Sequence, residues 1–139
     1  GKGDMADISA YMAHTSRGNK FNIVVPNDPR ARAAYERGKQ HFYAKRGQLN
    51  LSCADCHIGS AGKYIRSDLL SPMLGHPTHF PAYRSVSGDL GTLHRRYEGC
   101  NEQVRAKPFK LQSDEYKALE YFETYMSNGL AVNGPSSRK

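Results

Sequence analysis

Residues 53–57 read Cys-Ala-Asp-Cys-His. Two thiols three positions apart, followed at once by an imidazole, form the attachment site of a c-type haem. The spacing has a mechanical reason, because Cys53 and Cys56 can each bond one vinyl group of the same porphyrin, and His57 then lies under the iron as proximal ligand. A zinc site is the competing interpretation, but it needs four donors, and the chain has no second cysteine pair. The motif therefore predicts one covalently bound haem c.

Length, composition and charge limit what surrounds this motif. The 139 residues, 38% of them hydrophobic, suffice for one domain whose core a haem would enlarge. The longest apolar runs are only a few residues, so we expect no membrane-spanning helix. The net charge of +7 favours acidic partners or small anions, but the basic residues are scattered without a nucleic-acid-binding motif, so nucleic acid is not an expected partner. Because haem of this kind is attached outside the cytoplasm, we expect a periplasmic location.

Two helices are predicted before the motif. Residues 4–16 carry apolar side chains at helical spacing. Asp28 is a good N-cap and Pro29 suits the first helical position, which predicts a helix over about 29–45.

The sequence after the motif predicts loops and then two more helices. Residues 47–88 are rich in glycine and proline, which leaves only short helical turns, one of them at the haem motif. Asp89 can cap a short helix that ends near Gly99, and Ser113 can cap a helix that ends near Asn128. No strand pattern is convincing.

This layout is typical of class I cytochromes c. A glycine and an aromatic residue four positions later, Gly38 and Phe42, lie on the early helix, where the glycine would let a second helix approach closely. The late helix that could cross it carries the aromatic residues Tyr121, Phe122 and Tyr125. We therefore predict an all-α, class I cytochrome c-like fold with long loops around the haem. Residues 1–26 would form an N-terminal helix and linker, and residues 27–139 the cytochrome c domain.

The second axial ligand decides whether such a haem transfers electrons or does chemistry. Cys100 is the cysteine left over after haem attachment, and it is the favoured candidate. Arg96 lies one helical turn earlier and would favour the thiolate, although either Arg95 or Arg96 could belong to a solvated basic face. Met73 and Met126 are less well placed. The remaining candidate ligands are His76, His79 and His94.

Longer strings carry a family resemblance. They are Asp-Pro-Arg-Ala at 28–31, Glu-Arg-Gly-Lys at 36–39, Lys-Arg-Gly-Gln-Leu-Asn-Leu-Ser at 45–52, Gly-His-Pro at 75–77, Phe-Pro-Ala-Tyr-Arg at 80–84, Leu-Gly-Thr-Leu-His-Arg-Arg at 90–96, Gly-Cys-Asn at 99–101 and Val-Arg-Ala-Lys-Pro-Phe at 104–109. With the haem motif and the helix from Ser113, they resemble the SoxA family over about residues 28–130. SoxA is the catalytic cytochrome subunit of the thiosulfate-oxidising SoxAX complex.

The resemblance implies a specific site and reaction. It implies His57 and Cys100 as axial ligands, a persulfide on Cys100, Arg96 as the active-site arginine, and Arg66 as a weaker candidate for a second positive group near the haem. The implied enzyme is L-cysteine S-thiosulfotransferase-like. It joins thiosulfate, or a related sulfur anion, oxidatively to a cysteine of a SoxYZ-like carrier protein, and two electrons leave through the haem to a SoxX-like cytochrome c subunit.

SoxA chains usually carry another cytochrome-like domain before this one. We expect this chain to lack that domain, and residues 4–16 resemble its terminal helix. Three alternative functions stay open. They are an electron-transfer c-type cytochrome, a thiosulfate dehydrogenase-like enzyme that forms tetrathionate, and a haem-based gas sensor.

Overall fold

Helices form the frame of the molecule, and short strands connect them. The computed structural model describes residues 2–65 and 67–138. Within these residues, the α-helices are α1 (Asp4–Thr15), α2 (Pro29–Tyr43), α3 (Leu93–Gln103) and α4 (Asp114–Met126). The strands are β1 (Tyr64–Ile65), β2 (Asp68–Leu69), β3 (Ala82–Arg84), β4 (Asp89–Gly91) and β5 (Ser136–Arg138), and a π-helical turn (Asp55–Gly59) and a 3₁₀ turn (His76–His79) complete the set.

Local capping explains where the two long central helices begin. Asp28 Oδ1 accepts a hydrogen bond from Arg30 N at 2.7 Å, and Pro29 occupies the first turn, where a missing N–H costs nothing. At the start of α4, Ser113 Oγ accepts from Tyr116 N at 3.4 Å. The predicted N-caps Asp28 and Ser113 are therefore confirmed.

Helices α2 and α4 cross in close contact at Gly38. A Cβ on this residue would lie 2.6 Å from the carbonyl carbon of Ala118 and 2.9 Å from Cβ of Phe122, and it would overlap Ala118 O. Only a residue without a side chain fits there, as the sequence predicts. The crossing places Phe42 against Phe122, with 5.6 Å between ring centroids, at the centre of the core.

The expectation of an all-α fold is wrong. Strands β1 and β2 form an antiparallel pair, and a second sheet has the order β4-β3-β5, in which β3 pairs antiparallel with β4 and parallel with β5. The predicted helix start at Asp89 is wrong for the same reason, since residues 89–91 pair with residues 82–84. Helix α3 begins instead after Thr92, whose Oγ1 accepts from Arg95 N at 3.3 Å.

The segment between α1 and α2 joins the segment that follows α4. Gly18 N donates to Val132 O at 2.8 Å, and Phe21 N donates to Leu130 O at 3.0 Å. Among residues 2–65 and 67–138, no helix combines the length and the apolar character that crossing a lipid bilayer requires.

Candidate haem site

The Cys-Ala-Asp-Cys-His motif lies on a tightly capped turn. Ser52 N and Ser52 Oγ each donate to Asp55 Oδ2 at 2.8 Å, and Asp55 N donates back to Ser52 Oγ at 3.1 Å. This reciprocal pairing is a capping box, which fixes the start of a helical turn. The turn then continues as the π-helical segment that contains Cys56 and His57, and Cys53 packs against the core.

A backbone acceptor holds the His57 ring. Its Nδ1 lies 2.7 Å from Ser71 O, and because a carbonyl only accepts, this nitrogen carries the proton. Burial lowers the pKa of His57, and the neighbouring His76 lowers it further, so the ring is neutral at pH 7. The remaining nitrogen, Nε2, is then the one with a free lone pair. This is the arrangement that metal-binding histidines use.

Helix α3 brings Cys100 close to the motif. The thiol is half-buried, and burial raises its pKa, while the positive charges of Arg96 and Arg84 oppose that rise. Negative charge on Cys56 also raises the pKa of Cys100, so the two sulfurs are electrostatic neighbours. Arg96 does favour the thiolate, as the sequence predicts. However, burial raises the pKa of Cys100 by more than the two arginines lower it, so the net shift is upward. Coordination to a metal would deprotonate the thiol outright.

The structure distinguishes the two adjacent arginines of α3. Arg95 Nη1 lies 2.8 Å from Asp89 Oδ2, and this contact holds the pKa of the Asp89 carboxyl below its usual range. Arg96 is half-buried, and its positive charge acts on both His57 and Cys100. Arg95 is therefore the arginine of the solvated face, and Arg96 lies beside the candidate ligands.

Sequence analysis missed one further arginine at this site. Arg84 ends strand β3, is half-buried, and lowers the pKa of Cys100. The only signal in the sequence was its place at the end of the Phe-Pro-Ala-Tyr-Arg string. Arg66, the predicted second positive group, lies outside the described residues.

The two methionine candidates are poorly placed to face His57 across a haem. Met73 N donates to His57 O at 3.0 Å, so its backbone is tied to the histidine side of the site. Met126 lies in the last turn of α4 and is 40% exposed.

The histidine candidates have other partners. His94 is buried, its Nδ1 accepts from Gln112 N at 3.2 Å, and its Nε2 lies 2.8 Å from Glu120 Oε2 without being aligned for a hydrogen bond. His76 and His79 share the 3₁₀ turn. The His76 ring contacts the His57 ring edge-on, at 4.3 Å between centroids, and therefore lies on the same side of the site as His57.

These residues fit a c-type haem. All three cysteines are free thiols, so Cys53 and Cys56 are available for haem attachment. Cys100 lies on α3, whereas His57 lies in the π-helical turn, so the two candidate ligands come from different elements. A zinc site needs a cluster of His, Cys, Asp or Glu donors, and no group of three such side chains is arranged to hold a metal in the part of the chain that the structure describes.

Known proteins show the same domain. The family profile described as SoxA/TsdA, cytochrome c domain matches residues 37–132. The chain is 57% identical over 139 residues to the L-cysteine S-thiosulfotransferase subunit SoxA of Allochromatium vinosum, covering 99% of this chain and 50% of that protein. It is 39% identical over 135 residues to the SoxA subunit of Paracoccus pantotrophus, covering 45% of it. The chain thus spans about half the length of the curated relatives it matches.

Solved structures confirm the fold. The crystal structure of SoxXA from P. pantotrophus superposes with a TM-score of 0.87 at 38% identity, over 97% of this chain and 50% of that chain. The thiosulfate dehydrogenase TsdBA from Marichromatium purpuratum superposes with a TM-score of 0.54 at 19% identity, which supports the fold alone. The cytochrome c-like part of the predicted fold is confirmed, with two small sheets added to the helices. The chain belongs to the SoxA/TsdA cytochrome c domain family and is therefore a haem c domain.

Proposed function

We propose that this domain binds one haem c through Cys53 and Cys56, with His57 and Cys100 as axial ligands, and that it catalyses the oxidative conjugation of thiosulfate to a carrier-protein cysteine. The observation that carries the proposal is the position of Cys100. Helix α3 places this thiol beside the haem motif, and Arg96, one turn earlier, acts electrostatically on both proposed ligands. The activity is the one in the names of the SoxA relatives, L-cysteine S-thiosulfotransferase.

Two arginines give the site its affinity for a sulfur anion. Thiosulfate is a dianion, and guanidinium groups donate charge-assisted hydrogen bonds to oxyanions. Arg96 and Arg84 lie on the α3 and β3 sides of Cys100, and neither makes an ion pair with a carboxylate among the described residues. Both charges are therefore available to the substrate, whereas Arg95 is engaged by Asp89. Arg66 stays a prediction as a further positive group.

The reaction balances as an oxidation. The carrier thiol and the outer sulfur of thiosulfate form a new S–S bond, and one proton and two electrons are released. When bound, the haem supplies an iron centre that accepts electrons. Cys100 supplies a sulfur that can hold a second sulfur as a persulfide and exchange it with an incoming thiol.

The proposed partners follow from the same relatives. One solved neighbour is described as SoxXA, so we propose a SoxX-like cytochrome c subunit that receives the electrons. A SoxYZ-like carrier that presents the cysteine stays a prediction from the resemblance to SoxA. We propose the periplasm as the location, because c-type haem is attached there.

Spectroscopy of the ferric protein tests the ligand assignment. Cys100→Ala is expected to remove the low-spin thiolate signature. Met73→Ala, which removes a sulfur whose residue is bonded through its backbone to His57, is expected to keep it. An unchanged spectrum in Cys100→Ala would exclude this thiol as a ligand.

Turnover with thiosulfate, measured in the complex with its cytochrome partner, tests the arginines. Arg96→Ala is expected to lower kcat/KM by roughly 100-fold, as expected for loss of a charged partner that is worth about 3 kcal/mol. Arg95→Ala is the matched control, because its guanidinium already pairs with Asp89, and it should stay within about twofold of wild type. Equal effects of the two substitutions would contradict the proposed role of Arg96.

A further inference from the structure

Helix α4 carries a buried carboxyl group that the proposed reaction does not use. Glu123 is 2% exposed, although it lies on a helix whose other buried residues are mostly apolar. Burying a carboxyl group costs free energy unless the group has polar partners. The partners of Glu123 therefore indicate why this residue is buried. It contacts two residues that belong to different elements, Tyr97 on α3 and His76 in the 3₁₀ turn.

The first contact leads to Cys100. Tyr97 OH donates to Glu123 Oε2 at 2.9 Å, and both side chains are buried. Burial, followed by the charge of Glu123, raises the pKa of Tyr97 well above its ordinary value, so the phenol keeps its proton and remains the donor. Tyr97 lies on α3, three residues before Cys100, so this bond fixes the helical turn that presents the thiol.

The second contact leads to His57. His76 Nδ1 lies 3.7 Å from Glu123 Oε2, and His76 Nε2 lies 3.1 Å from Ser71 Oγ. The backbone oxygen of the same serine holds His57 Nδ1 at 2.7 Å. The His76 ring also abuts the His57 ring edge-on. Glu123 is thus connected to His57 through a chain of contacts that passes through His76 and Ser71.

We propose that Glu123 is a positioning residue that holds the Cys100 helix and the His57 loop at a fixed separation across the haem. The inference rests on the proposed His57–Cys100 ligation. One oxygen of one side chain contacts both supports, so a change at Glu123 acts on the two axial ligands together, whereas a change at Tyr97 acts on the Cys100 side alone. Removing a residue that holds metal ligands in place typically changes metal affinity or activity by 10- to 100-fold.

Three substitutions separate the two supports. Tyr97→Phe keeps the ring and removes only the bond to Glu123. Glu123→Gln keeps an acceptor for Tyr97 and the side-chain volume but removes the carboxylate that faces His76. Glu123→Ala removes both contacts. Glu120→Gln is the matched control, because Glu120 lies on the same helix and also faces a histidine, His94, but contacts neither Tyr97 nor His76 through a hydrogen bond or ion pair among the described residues.

The experiment measures the ferric EPR spectrum and the rate at which cyanide displaces the axial ligand in the holoprotein. We expect Glu123→Ala to broaden or split the low-spin signal and to raise the displacement rate by about 10-fold. Tyr97→Phe and Glu123→Gln should each give a smaller increase, and Glu120→Gln should match wild type. Wild-type spectra and rates in both Tyr97→Phe and Glu123→Gln would overturn the proposal, and these two volume-preserving variants decide the matter if Glu123→Ala fails to fold.

The result is distinguishable from a failure of the proposed function. If Cys100→Ala leaves the ferric spectrum unchanged, the ligand assignment itself is wrong. If Cys100→Ala removes the thiolate signature while the Glu123 variants behave as Glu120→Gln does, the assignment stands and only the positioning role of Glu123 is rejected.

Discussion

Replacing Gly38 with alanine should test the helix crossing on which the site depends. The added methyl group would lie 2.6 Å from the carbonyl carbon of Ala118 and 2.9 Å from Cβ of Phe122. Carbon atoms prefer separations of about 3.5–4.0 Å, so α2 and α4 would have to move apart by on the order of 1 Å. The obstructing atoms are mostly backbone, so no side-chain rotation can relieve the clash.

The expected cost follows from two opposing effects. Inserting a methylene-sized group into a packed core costs about 1–3 kcal/mol, and the rigid neighbours of Gly38 favour the upper end. Alanine in place of glycine inside a helix contributes up to about 1 kcal/mol in the other direction. The net loss should be about 2 kcal/mol, or a decrease of Tm by roughly 5–15 °C for a domain of this size.

The matched control is Gly99→Ala in α3. Apart from its chain neighbours and the backbone of its own helix, a Cβ on Gly99 would meet no atom of the described residues within 4 Å, so the same substitution should stabilise by up to about 1 kcal/mol. Guanidinium unfolding of the holoprotein, followed by far-ultraviolet circular dichroism, measures both variants. If Gly38→Ala unfolds at the wild-type midpoint, or if the two variants shift in the same direction, the close-crossing argument is refuted.

Three smaller perturbations address the surrounding framework. Burial, and then the neighbouring Arg46, lowers the pKa of His41 to about 4. The contribution of the neutral ring to the free energy of unfolding should therefore be complete above about pH 6.5 and fall by up to about 3 kcal/mol towards pH 4. Urea midpoints that fall equally with pH in His41→Gln would contradict this. Ser127→Ala should cost about 1–3 kcal/mol, because Ser127 Oγ accepts from Gly75 N at 3.1 Å in a buried position, and an unchanged Tm would disprove that bond's importance. Ser113→Ala should cost about 1 kcal/mol through loss of the α4 N-cap, and a thermal melt identical to wild type would count against the cap.

Helix starts could be predicted from the sequence because their causes are local. Asp28 and Ser113 satisfy N–H groups only two or three residues away, and this pattern is visible in the sequence. The strands could not be predicted, because two or three residues are too few to show alternation. One of the pairings also joins distant parts of the chain, as Ala82 on β3 pairs with Ser136 on β5. A contact across 54 residues leaves no local pattern.

The candidate site shows the same division between local and distant causes. The haem motif is contiguous, so Cys53, Cys56 and His57 could be named from spacing alone. Arg95 and Arg96 are chemically identical neighbours, and only the fold, by placing Asp89 against one of them, separates their roles.

Glu123 was missed for a related reason. A glutamate is rarely fully buried, so its residue type predicts a surface position, although it lies one helical turn after the buried Leu119. Its burial depends on Tyr97, which is 26 residues away.

Strand β5 has a consequence for handling this protein. It is the outer neighbour of β3, with Arg138 O accepting from Ser85 N at 3.0 Å and Ser136 N donating to Pro81 O at 3.1 Å. Strand β3 ends in Arg84, one of the described cations that act on Cys100. Proteolytic trimming before Ser136 would remove β5 and loosen the support of that arginine. Preparations that differ only in this segment should therefore differ in how strongly anionic inhibitors compete at the thiol.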